Sequence, residues 1–504
     1  MMHTIKTYTI IWLTWYAVNV EIDSSKALPG IDIIWLPDTA IKESKDRIRS
    51  SFRAIDAALP NRRFIINLAP SDIRKVGTSY DVALFVSLMT QIYQHITHIE
   101  LLQQALFFWE LGLDGSVKRI NWLLPMVINA YKAGHTHFVV PQANFDELKY
   151  IANITVYTIS HVSQLMWRFT QWQNPVCEVS LHSLADYIVQ PRDEFGDIKW
   201  QYVAKRALSV AAAGMHNVLM IWAPGSGKTM LAKATQSILP PLSPSEVIDV
   251  SQLYSLVGKL NSDNPLIFQR PFRTVHHTAS KVSIVWWWQS LHPWEISLAH
   301  RGILFLDELP EFARDTLDVL RQPIEDKVIT ISRASWTVQY PSDFMLIAAM
   351  NPCTCGYYKD PVKPCSCSLQ SVKKYQSRIS WPLLDRIDMI LEIPRESMDV
   401  LRQKSDESVL HTQVMTARDM QQRRFWGTKT SNSQLTSRDI DTLQISTEGE
   451  QLLRVAAQKF TLSPRVIHRI IKVSRTIADL DASDHIQTQH IAESLQYRSR
   501  AFFA

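Results

Sequence analysis

Residues 217–234, NVLMIWAPGSGKTMLAKA, place four apolar residues (Val218 to Ile221) before a glycine-containing turn and a helix-forming run. In such a turn, successive backbone N–H groups cradle phosphates. Pro224, Gly225, Ser226 and Gly227 would form the cradle, Lys228 would reach the β- and γ-phosphates, and the Thr229 hydroxyl would coordinate Mg²⁺. Downstream, GILFLDELPEF ends an apolar strand, Ile303 to Leu306, in two carboxylates. Asp307 suits the Mg²⁺, and Glu308 suits polarisation of an attacking water. A third apolar run, DFMLIAAMNP, ends in Asn351, whose amide would position that water. Phosphoryl transfer leaves little covalent work for the protein, so cations placed on the γ-phosphate supply much of the acceleration. WPLLDRIDMI offers Arg386 and LSPRVIHRIIKVSRTIADL offers Arg465 for that purpose. The chemistry these residues suit is ATP hydrolysis with Mg²⁺. One position departs from the pattern G-x-x-x-x-G-K-[ST]: Trp222 stands where the first glycine belongs.

The elements that must hold these residues are legible from hydrophobic periodicity. Residues 200–398 alternate strand and helix signals, as in a parallel sheet covered by helices. Residues 1–170 read as a separate mixed α/β unit, with strand-like RFIINLA and helix-like DTAIKESKDRIRSSFRAIDAAL. Residues 171–199 lack sustained periodicity and read as a linker. Residues 399–504 read as helical.

Composition narrows the class. A 46% hydrophobic and 20% charged chain of 504 residues with net charge +5 is a globular protein of several domains, mildly basic and open to an acidic polymer as partner. No run reaches the roughly 18 apolar residues of a membrane-spanning helix, and the amino end lacks the layout of a signal peptide. Of five cysteines, four fall within residues 353–367, which is no disulfide framework. A cytoplasmic, reducing environment is expected. CTCGYYKDPVKPCSC sets Cys353, Cys355, Cys365 and Cys367 as C-x-C-x₉-C-x-C. Four thiolates suit Zn²⁺, although C-x-C is tighter than the usual spacing; reduced thiols in a loop are the alternative. His276 and His277 have no partner pattern and read as structural or subunit-contact residues. VITISRASWTVQYP reads as two short strands around a turn.

The order of phosphate loop, LDE, NP, LLDRID and SPR resembles an AAA+ ATPase. PFRTVHHTAS, EISLAHRGILFLDELPEF, AAMNPCTCGYY and VSRTIADLDASD resemble, more narrowly, the magnesium-chelatase-like YifB/ComM family, from about residue 5 to 500. The resemblance implies a Lon-like (ribosomal S5 domain 2-like) α/β amino-terminal domain, an AAA+ parallel sheet with helices, and a helical lid. It further implies a hexameric ring of identical subunits moving on branched or single-stranded DNA, with Arg386 as a finger acting in trans and Arg465 as a lid sensor. Arg333, in the hairpin, would face a DNA backbone; a solvated hairpin is the alternative. In RKVGTSYDVAL, Ser79 lies near where a Lon nucleophile would sit, but NWLLPM has no lysine to serve as its base. A serine without its base is a poor nucleophile, so no peptidase activity is expected. Two other readings stay open: a chelatase-type ATPase subunit for metal insertion into a tetrapyrrole, and a nucleotide-binding scaffold without turnover.

The same resemblance bears on Trp222. The chain has 14 Gly and 16 Trp, where about 35 glycines would be ordinary at roughly 7%. The shortfall is close to the tryptophan count. Trp35, Trp109, Trp200, Trp286, Trp287, Trp288, Trp294 and Trp381 all fall where the family pattern has glycine, and Trp12, Trp15, Trp122 and Trp222 fit the same rule. No physical pressure exchanges the smallest side chain for the largest at a dozen unrelated sites. The pattern follows if the codon behind these positions is UGA, which some bacterial lineages read as glycine and others as tryptophan. The alternative is a drifted paralogue with true tryptophans.

Overall fold

A computed structural model describes residues 5–11, 14–26, 28–34, 39–57, 59–69, 80–93, 104–165, 177–178, 194–195, 198, 201–224, 227–261, 263–275, 295–333, 336–360, 362–393, 408–426 and 429–498. Ser79, Gly225, Ser226, His276, His277 and the tryptophans at 12, 35, 200, 286–288 and 294 lie outside these. Of Trp15, Arg333 and Trp336 only the backbone is described. The chain forms two compact units, residues 1–187 with 247–267, and residues 188–246 with 268–504. Residues 247–267, assigned by sequence to the ATPase module, thus pack with the first unit.

The first unit is mixed α/β. One of its two four-stranded sheets among the described residues runs in the order Ile5–Ile11, Thr14–Ser25, Arg63–Ala69, Gly30–Ile34, with only the last pair parallel. Alternation along Arg63–Ala69 buries Phe64, Ile66 and Leu68, as period two requires of a sheet with one covered face. The helix Asp81–Ile92 is apolar on nearly all sides and buried from Asp81 to Thr90. Its one charge, Asp81, is met by Arg47 Nε at 2.7 Å and by the Ser44 hydroxyl. The NWLLPM stretch opens the helix Leu123–Lys132, whose single lysine is in its last turn.

The second unit holds a five-stranded sheet, ordered Phe272–Val275, Ile303–Leu306, Met345–Met350, Val218–Trp222, Met389–Ile393, every neighbouring pair parallel. The central strands are apolar on both faces because helices cover both. Val218, Met220, Phe305, Ile347 and Leu391 enter one core; Leu219, Ile221, Leu304, Leu306, Leu346 and Ile390 enter the other. Asn217, just before its strand, staples three strands together. Its Oδ1 accepts from Leu346 N–H at 2.9 Å, and its N–H donates to Asp388 Oδ2 at 2.9 Å. Val328–Arg333 and Trp336–Pro341 pair antiparallel, as VITISRASWTVQYP predicts.

The carboxyl-terminal segment is helical, built around Pro464–Leu480, which buries Val466, Ile470, Val473 and Ile477 at helical spacing. Arg469 reaches Asp388 Oδ1 at 3.1 Å. Burial resists ionisation of Asp388, but Arg469, His216 and the Asn217 amide hold its carboxyl well below the usual range. A second buried pair, Arg475 with Asp479, is shared with Arg424. No helix among the described residues is long and apolar enough to cross a membrane.

Candidate functional site

A parallel sheet brings the carboxyl ends of its strands to one edge. Ligands settle there, where the strand order reverses direction. The strand Val218–Trp222 occupies that position, flanked by Met345–Met350 and Met389–Ile393. After it come Ala223 and Pro224, then Gly227 at φ +85°, which a side chain would resist, and the helix Lys228–Ile238. The free N–H groups of that helix face the same edge, the usual place for an anion.

Lys228, Thr229, Asp307, Glu308 and Asn351 converge at this edge. Lys228 Nζ donates to Asn351 Oδ1 at 2.6 Å and to the Trp222 carbonyl at 3.4 Å. Burial lowers the Lys228 pKa, against the opposing pull of Asp307 and Glu308. A desolvated ammonium held by a neutral amide is ready to exchange that partner for phosphate oxygens. Thr229 Oγ1 donates to Asp307 Oδ2 at 3.3 Å. A hydroxyl and a carboxylate this close are the hard oxygen donors Mg²⁺ takes, with water and phosphate filling its remaining positions. Asp307 is held from behind by the Glu308 N–H, 2.9 Å from Oδ1. Glu308 itself sits at φ +52°, ψ +47°, the left-handed region, with its side chain exposed. A non-glycine residue held there costs roughly 1–3 kcal/mol, a strain that collects at functional sites.

Among the described residues neither arginine bonds to this set. Arg386 Nη1 donates to the Pro382 carbonyl at 2.7 Å and Nη2 pairs with Glu325. Arg465 lies exposed in the first turn of Pro464–Leu480. Sequence reasoning missed Glu325, Asn217 and Asp388. The signal for the last two was visible, since each is a polar residue set directly before an apolar strand.

The four cysteines meet. Cys353 is buried, and Cys355, Cys365 and Cys367 are partly so. Sγ separations are 3.3 Å for Cys353–Cys355, 3.7 Å for Cys353–Cys365 and 3.5 Å for Cys355–Cys365, and all four sulfurs lie within 4.8 Å of one another. The Tyr357 backbone N–H draws the Cys355 thiol down to about 5.

A phosphate loop, an acidic pair and a polar residue at adjacent strand ends define a P-loop nucleotide-binding protein of the AAA+ class, with a helical segment after the sheet. Family models agree: magnesium chelatase subunit ChlI matches residues 194–401, another ChlI model matches 20–144, and the ChlI carboxyl-terminal model matches 404–498. The chain is 35% identical over 492 residues to competence protein ComM of Haemophilus influenzae, covering 96% of this chain and 94% of that one. It is 36% identical over 487 residues to YifB of Escherichia coli, covering 96% and 94%. With Rv2897c of Mycobacterium tuberculosis the identity is 32% over 490 residues, covering 95% of each. The chain belongs to the magnesium-chelatase-like YifB/ComM family.

Proposed function

We propose that the protein is an ATP-hydrolysing motor that works as a hexameric ring on DNA in the cytoplasm, with Mg²⁺ as cofactor and Zn²⁺ at the cysteine cluster. The observation that carries the ATPase reading is the convergence of Lys228, Thr229, Asp307, Glu308 and Asn351 on one sheet edge. Lys228 binds the β- and γ-phosphates, Thr229 and Asp307 hold Mg²⁺, Glu308 accepts the proton of the attacking water, and Asn351 orients it. Mg²⁺ neutralises charge developing between the phosphates. Arg465 acts from the lid. Arg386 lies apart from its own P-loop set, which suits a residue serving a neighbouring subunit's nucleotide. The ring reading therefore requires it to exchange Glu325 for that nucleotide. DNA as the track is supported by the net charge of +5, by the Val328–Pro341 hairpin and by the competence role in the name of the Haemophilus relative. The amino-terminal unit serves assembly or binding rather than proteolysis.

Branched or single-stranded DNA is expected to stimulate the ATPase, with binding that weakens steeply as salt rises. Each neutralised phosphate adds roughly 0.9 to the log–log slope on duplex DNA through counterion release. Arg386→Ala should bind ATP and hydrolyse it poorly, and mixing it with Lys228→Ala should recover part of the rate. Mixed rings contain junctions that join an intact loop to an intact finger. Steady-state phosphate release with and without DNA decides: a chelatase subunit ignores DNA and needs partner proteins, and a scaffold shows no turnover. A rate and oligomeric state indifferent to DNA would refute the motor.

A further inference from the structure

The cysteine cluster adjoins the nucleotide site on both sides. Cys353 follows Asn351 by two residues, directly after the strand Met345–Met350. Gly356, between the paired cysteines, has φ +84° and lies against the phosphate-loop proline. A Cβ there would stand 2.4 Å from Pro224 Cγ and 2.5 Å from Cδ. The backbone of the cysteine loop is thus in direct contact with the loop that cradles phosphate. Its start is fixed by Gln376 Nε2, which donates to the Pro352 carbonyl at 3.0 Å, and by the Gly356 N–H on the Cys353 carbonyl at 3.0 Å.

The sulfur positions indicate what closes the loop. Zn–S bonds of about 2.3 Å in a tetrahedron set sulfurs about 3.8 Å apart. The three separations of 3.3–3.7 Å approach that edge length. A disulfide would need about 2.0 Å. The Cys367 N–H lies 3.4 Å from Cys365 Sγ, so a backbone amide is placed to steady a thiolate.

We propose that Zn²⁺ bound by Cys353, Cys355, Cys365 and Cys367 is a strut of the ATP site, holding Gly356 against Pro224 and Asn351 against Lys228. This rests on reading the site as an ATPase. The zinc touches neither nucleotide nor water; the four cysteines are positioning residues. Binding converts the thiols to thiolates with release of their protons, and involves no redox step. Without the metal, four free thiols replace a rigid cross-link. Asn351 and Pro224 then lose the support that fixes them relative to Lys228.

The test uses the full chain. Protein expressed with zinc should carry one Zn²⁺ per chain, released by a mercurial and measured with a chromogenic chelator. Co²⁺ in its place should give the thiolate-to-metal charge-transfer bands of a tetrahedral sulfur site. Cys365→Ser/Cys367→Ser, which spares buried Cys353, and chelated parent protein are then compared with the zinc-loaded parent. Circular dichroism checks that each remains folded. Both should bind a fluorescent ATP analogue more weakly, because Pro224 moves, and show a kcat lowered by up to about a hundredfold, because Asn351 moves. Absence of zinc overturns the proposal. So does zinc whose removal changes neither nucleotide affinity nor kcat. A zinc-loaded parent that binds ATP without hydrolysing it defeats the ATPase reading alone, since the affinity readout still tests the strut.

Discussion

Glu308→Gln leaves ATP binding intact and slows hydrolysis by about 10²–10⁴-fold, the range lost when a positioned general base is removed. Lys228→Ala behaves differently and loses ATP binding itself. The contrast follows from what each group meets. Lys228 is partly buried at the head of the helix Lys228–Ile238, with its ammonium on Asn351 Oδ1 at 2.6 Å, where ground-state phosphates would lie. Glu308 is exposed, one residue beyond the carboxylate that Thr229 contacts, and its strained backbone fixes where the side chain starts. Gln keeps the size and polarity of Glu but accepts no proton. Removing an interaction made only in the transition state lowers kcat and spares affinity. Equilibrium binding of a fluorescent nucleotide and phosphate release under saturating ATP separate the two effects. Unchanged turnover in Glu308→Gln would remove it from the mechanism.

The convergence of Lys228, Thr229, Asp307, Glu308 and Asn351 was legible because each part is local. An apolar run ending in a charged or amide residue announces a buried strand with its functional group at the tip. Three such runs in one chain place three groups on one edge of a parallel sheet. The hairpin at 328–341 was readable for the same reason. What sequence did not disclose depends on contacts between distant residues. Arg386 is 61 residues from Glu325, and nothing between them predicts their pairing. Residues 247–267 read as part of the ATPase module, yet their packing is with the amino-terminal unit. The C-x-C spacing understated the cysteines, whose four sulfurs lie within 4.8 Å of one another.

Glycine in place of tryptophan at the sites named from the family pattern should raise stability by several kcal/mol and bring full ATPase activity. Tryptophan should be the inferior residue at nearly every one. The described indoles show why. Trp122 sits at φ +76°, backbone that costs a residue with a Cβ about 1–2 kcal/mol and glycine nothing. Trp109 and Trp222 are buried, and neither Nε1–H has a partner among the described residues, an omission worth about 1–3 kcal/mol apiece. Trp122 is the exception, its Nε1–H donating to the Leu256 carbonyl at 2.7 Å, and glycine there gives up that bond. At Trp222 the effect is on chemistry as well. Its carbonyl is 3.4 Å from Lys228 Nζ, and a glycine lets the strand end adjust to phosphate. Gly302 remains where nothing else fits: a Cβ there would stand 2.0 Å from the Pro271 carbonyl oxygen. A drifted chain would have lost such positions along with the others. Thermal unfolding and ATPase rates of the two versions give the first comparison. The second is independent of any variant: the gene should read UGA at 222 and 286–288, and a native peptide spanning 217–234 should be lighter by an indolylmethyl group exchanged for hydrogen. UGG at those codons, with a tryptophan-mass peptide, would make the tryptophans real and leave the strain at position 122 as a property of the working protein.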